Sequence, residues 1–164
     1  MSRHAPRRPR WAPTADTMAI AKRNAAKPAP ADMAGALQGV QTAFRAMREG
    51  VGTQVQWSVL AGSLDVANAI GRQGVVRGLR EHLASAHDAL QSIWRRALLT
   101  RAWHATPLHY YELDALQTFV DLYAYQLGQL GRAEFMRAVD LATGQIRSSG
   151  ARVTLARDMA GVAA

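Results

Sequence analysis

The chain has 164 residues, with 20 lysines and arginines against 12 acids and no cysteine. That length suits one domain with a tail, and a body of this size buries enough surface to fold without a covalent staple. The missing cysteine excludes disulfides, thiol catalysis and thiolate-held zinc, and no apolar run approaches the ~18 residues of a membrane span.

The formal charge of +8 divides unevenly. Residues 1–31 hold Arg3, Arg7, Arg8, Arg10, Lys22, Arg23 and Lys27 against Asp16 alone, whereas residues 32–164 hold 13 arginines against 11 acids. Five of the six prolines also fall in residues 1–31, and no apolar face repeats there. A segment of that composition cannot offset its ordering entropy by burial, so residues 1–31 are expected to be a disordered basic tail. Met18 opens the run MAIAKRNAAKPAPADM, which itself reads as a protein start; translation from there would lower the net charge to +5. No continuous apolar stretch follows Arg7 and Arg8, as an export signal would require, so the expected location is the cytoplasm.

From Asp32 onward the pattern is helical. Met33, Leu37, Val40, Phe44 and Met47 alternate steps of four and three, which places them on one helix face, with Asp32 as N-cap and Gly50 beyond the C-terminus. Thr53 and Gln56 have capping-box spacing, and Trp57, Leu60, Leu64, Ala67 and Ile70 follow on one stripe that Val55, Val59 and Val66 widen. Gly71 to Gly74 mark its end. A third helix is predicted from Val76 and Leu79 through Leu83, Ala86, Leu90, Ile93 and Ala97. Thr106 as cap and Pro107 at the first position begin a fourth. Its apolar surface, from Tyr110, Leu113 and Leu116 through Phe119, Val120, Leu122, Tyr123 and Leu127 to Leu130, is broad enough to predict a central helix ended by Gly131. Phe135, Val139, Ala142 and Ile146 mark a fifth.

The expected fold is all-α, a single bundle of four to five helices over residues 32–147 with short connections. Residues 148–164 form a C-terminal extension, a short helix or strand around the β-branched run at 152–155. No internal repeat is present.

The strongest candidate surface lies in SIWRRALLTRAWH, where Trp94, Arg95, Arg96, Arg101, Trp103 and His104 mix charge with stacking area. Heptad register puts Ile93 and Ala97 in the core and turns Arg95 and Arg96 outward. In the competing reading the tryptophans plug the end of the bundle and the arginines merely complement a helix dipole. LDVANAIGRQGVVRGL approximates a helix-turn-helix in the spacing of Ala67 and Gly71, but Val76 falls one residue early and Gly74 and Gly78 would weaken a reading helix.

Metal and acid–base sites are not expected. His82 and His87, like His104 and His109, are spaced by five and so leave different helix faces, while His109 and Glu112 make only one i, i+3 pair. Glu81 and Asp88, and Asp114 and Asp121, stand two turns apart, about 10 Å along an axis and too far to couple strongly. Arg77 and Glu81 have the spacing of a solvated pair. No nucleophile elbow or phosphate-binding glycine loop occurs.

The stretches QWS at 56–58, GRQGVVRGL at 71–79, ELDAL at 112–116 and YQL at 125–127 resemble a group of short uncharacterised proteins encoded by phages, plasmids and integrated elements of proteobacteria. The resemblance covers residues 40–158 and omits the basic leader, which it marks as dispensable. It implies a small accessory protein that acts by binding host proteins, defence machinery included, and it assigns no catalytic residue. The expectation is therefore a non-enzymatic interaction protein without cofactor or metal, an inhibitor or regulator of a host protein. The alternative is a nucleic-acid-associated protein using the tail and the 94–104 patch.

Overall fold

The computed structural model of the chain describes Ala26, residues 30–99 and residues 101–149, and among these it is an all-α bundle of five helices. They are α1 (Pro30–Arg48), α2 (Gln54–Gln73), α3 (Arg80–Ala97), α4 (Tyr110–Gln129) and α5 (Arg132–Ser148). Residues 1–25 and 27–29 of the expected tail, and 150–164 of the expected extension, lie outside the described residues. No described helix is long and apolar enough to cross a membrane.

Local chemistry sets most helix ends. The α1 C-terminus closes as a Schellman motif: Gly50 at φ +74° donates its N–H to the Met47 carbonyl, and Val51 donates to that of Ala46. At the α2 start the Thr53 N–H donates to Gln56 Oε1 at 2.7 Å, and the Gln56 N–H reaches back to Thr53 Oγ at 3.5 Å. Gly74, at φ +77°, ends α2.

Four boundaries differ from the sequence reading. α1 begins at Pro30, so Asp32 lies inside the first turn rather than before it; proline's fixed φ suits that leading position. α3 begins only at Arg80, because Gly78 at φ +83° interrupts the helical path, and Val76 is buried within the connection instead. This also separates Arg77 from the helix that carries Glu81, and the two form no ion pair. α4 begins at Tyr110 rather than Pro107, with Glu112 Oε2 accepting the His109 N–H at 2.8 Å. Gly131 starts α5 rather than ending α4: Glu134 Oε2 accepts its N–H at 2.7 Å, while fully buried Leu130 is the α4 cap.

The central helix is α2, which packs against all four others, whereas α4 packs against α1, α2 and α3. The wide apolar surface of α4 is explained differently. Leu116, Phe119, Val120, Tyr123 and Leu127 are buried, but Tyr110 at its leading edge is 85 % exposed. The core joins Val40 and Phe44 of α1, Leu60 and Ile70 of α2, Leu83 and Ile93 of α3, and Phe119 and Leu127 of α4. α5 contributes buried Ala138 and Ala142, with Phe135 partly covered beside them. Two polar side chains, Glu112 and Gln126, are fully buried; Gln126 Nε2 donates to the Ala67 carbonyl at 3.2 Å and so ties α4 to α2. The first N–H of α5, on Arg132, would be an orphan donor and is satisfied by the Ala26 carbonyl at 2.9 Å.

Candidate functional site

Two surfaces adjoin at the end of the bundle where α3 gives way to α4. The first is the tryptophan-rich stretch singled out from the sequence, and much of it turns out to be a structural lock. Trp94 packs between Trp57 and Trp103, with ring centroids 4.4 and 5.8 Å away. Trp57 Nε1 donates to the Leu90 carbonyl at 2.9 Å, and Trp103 Nε1 donates to the Gly52 carbonyl at 2.9 Å. The indoles thus close the bundle and pin the α3–α4 connection onto the α1–α2 turn. Gly52 is needed there, because a Cβ would lie 2.2 Å from Met47 Sδ and 3.1 Å from Met47 Cα.

Arg96 does not point away from the body, as its heptad position suggested. It turns across to α4 and forms a bidentate pair with Glu112, Nη1 to Oε1 at 2.5 Å and Nη2 to Oε2 at 2.7 Å. It also donates to Ser92 Oγ at 3.1 Å and to the Pro107 carbonyl at 3.2 Å. A guanidinium has enough planar donors for all of these, and its long stem explains why register misjudged it. Burial pushes the Glu112 carboxyl up, but the hydrogen bonds from Arg96 and the His109 N–H outweigh burial and leave it below its ordinary range. The same bond with Glu112 holds Arg96 above its ordinary value.

What remains displayed at this end is Arg95, Arg101 and His104, together with Val51, Val55 and Leu99, the last 81 % exposed. Arg101 sits at φ +63°, a left-handed conformation that costs a non-glycine residue about 1 kcal/mol. The His104 backbone is fixed by its N–H to the Ala97 carbonyl at 2.9 Å. Of the six residues expected to form one surface, Arg95, Arg101 and His104 are exposed, while Trp94, Trp103 and Arg96 are partly buried and engaged.

The second surface was not read from the sequence. α3 and α4 pair antiparallel, Arg96 meeting Glu112 near one end while His82 and Thr118 face the same groove further along. The groove between them has a volume of ≈ 570 Å³ and is lined by His82, Asp88, Ser92, Tyr110, Tyr111 and Asp114, among others. Tyr110 and Tyr111, the latter 57 % exposed, stand at the α4 N-terminus. Tyr111 stacks on His109 with centroids 5.7 Å apart, and its hydroxyl lies 3.1 Å from Ser92 Oγ. Asp88 and Asp114 have no ion pair or side-chain hydrogen bond among the described residues, and no lysine or arginine lines the groove. Spacing along single helices pairs Asp88 with Glu81 and Asp114 with Asp121. The juxtaposition that exists is between helices.

The remaining candidates disperse. The α2–α3 connection, residues 74–79, is longer than a helix-turn-helix turn and contains two left-handed glycines, so no compact reading motif forms. The described residues bring together no group of three or more His, Asp or Glu side chains that could hold a metal ion. Among the described residues Asp65 on α2 is the other perturbed carboxylate: burial raises it, with His87 and Arg72 pulling the other way. Comparisons with protein-family models, curated proteins and solved structures give no match for this chain.

Proposed function

We propose that this chain is a non-enzymatic binding protein that recognises a protein partner through the α3–α4 face. The observation that carries this reading is the pair of exposed tyrosines beside a groove whose two aspartates have no partner within the described chain. Exposed tyrosine supplies rigid contact area at low entropic cost and is enriched where protein interfaces concentrate their energy. The groove is broad and open to water, whereas acid–base catalysis draws its advantage from enclosed, preorganised groups. The likeness to short phage- and plasmid-encoded proteins supports a partner in the host cell, with this chain as its regulator or inhibitor.

The test is comparative capture with the full-length chain as bait in host lysate. A partner is expected to be retained by the parent and by an Arg95→Ala/Arg101→Ala variant, and lost by Tyr110→Ala/Tyr111→Ala with its helical circular dichroism intact. The reverse pattern would move the surface to the tryptophan end. If the material retained there is nucleic acid whose binding falls steeply with salt, a phosphate-binding protein replaces the present reading.

A further inference from the structure

We infer that the α3–α4 groove takes an arginine-bearing segment of its protein partner, with the guanidinium held between Asp88 and Asp114 and lying against the tyrosine rings. This rests on the reading of the α3–α4 face as the docking surface and specifies what docks there. Three observations converge. The first is charge: the sequence outside the tail carries 13 arginines against 11 acids, yet the groove lining contains two aspartates with no partner among the described residues and, His82 apart, no basic side chain. Such a concave surface in an otherwise basic chain is complementary to a positive group and repels phosphate.

The second is the aromatic pair. A guanidinium stacks on a tyrosine face while its edge reaches a carboxylate bidentately, a combination that lysine's point charge cannot reproduce. Tyr110 and Tyr111 offer the ring surface and Asp88 and Asp114 the acceptors within one groove. The third is that the same wall already seats one guanidinium. Arg96 lies on Glu112 with Ser92 as a further acceptor, and Ser92 and Tyr111 belong both to that cluster and to the groove lining. Asp88 lies two turns, about 12 Å, along α3 from Arg96, so an incoming arginine would occupy a second position beside the first without displacing it.

Fluorescence anisotropy with the full-length chain tests this, using a short fluorescein-labelled glycine–serine peptide carrying two arginines. Salt near 0.15 M, where the Debye length is about 8 Å, screens the overall positive charge of the chain. Saturable binding is expected, about tenfold weaker when citrulline replaces arginine or in an Asp88→Asn/Asp114→Asn variant. Lysine should bind more weakly than arginine, and Arg95→Ala should leave binding unchanged. Equal binding of the citrulline peptide, indifference to the aspartate substitutions, or no binding at all would overturn the inference. If the peptide fails while a host protein is still lost on changing Tyr110 and Tyr111, the docking face stands and only its ligand chemistry is wrong. If the peptide binds through Asp88 and Asp114 but no host protein depends on the tyrosines, the ligand chemistry stands and the partner reading falls.

Discussion

The tryptophan end and the α3–α4 groove share a wall, yet they treat similar side chains in opposite ways. At the tryptophan end, aromatic N–H groups are spent on backbone carbonyls and an arginine is spent on a buried carboxylate. In the groove, two tyrosines are displayed, the Tyr111 hydroxyl lying 3.1 Å from Ser92 Oγ, and two aspartates have no partner among the described residues. Aromatic and charged composition therefore does not identify a binding surface. The distinction lies in how far the rings are exposed and in whether the charged groups already have partners among the described residues.

The largest predicted effect breaks the lock at Arg96. Arg96→Ala leaves a fully buried Glu112 carboxylate without its cation, and urea unfolding should register a loss of about 3 kcal/mol. Arg95→Ala, at the adjacent exposed position, should stay within about 0.5 kcal/mol. Similar values for the two would show that Arg96 contributes no more than a solvated surface arginine.

Gly52→Ala comes next, at about 2 kcal/mol, because the new Cβ collides with the buried Met47 sulfur, presses on Met47 Cα at 3.1 Å and displaces the carbonyl that receives Trp103. Thermal unfolding should show this loss. Trp103→Phe keeps the apolar ring but strands the Gly52 carbonyl, for about 1 kcal/mol. Greater cleavage by protease in the 98–109 connection should accompany it, since Trp103 ties that segment to the α1–α2 turn.

Glu112 and Asp65 predict opposite pH dependences. The folded Glu112 carboxyl lies below its ordinary value of 4.5, so its contribution is fully present above that pH and is lost as pH falls through the folded value. Denaturation midpoints should fall on acidification in the parent, with a smaller slope in Glu112→Gln. Asp65 has the opposite sign: burial raises its carboxyl, so ionisation at neutral pH works against the fold. Asp65→Asn should therefore raise stability slightly at pH 7, and the gain should vanish under acid conditions. The smallest effects belong to the groove, where Asp88→Asn and Tyr110→Ser should each change stability by no more than about 0.5 kcal/mol.

Periodicity and capping depend on residues within a few positions of one another, so an all-α bundle of four to five helices, the Thr53–Gln56 box and the glycine-ended turns at Gly50 and Gly74 are legible along the chain. The α5 start at Gly131 rests on an equally local contact, Glu134 accepting the Gly131 N–H from three residues away. The remaining features rest on contacts between helices. Whether Arg96 faced water depended on Glu112, sixteen residues away on another helix. Asp88 and Asp114 came to share a groove only because α3 and α4 run antiparallel, a pairing that no spacing along either helix encodes. A long side chain chooses its partner across space, so the period of its own helix specifies where its Cβ starts and not where its charge ends.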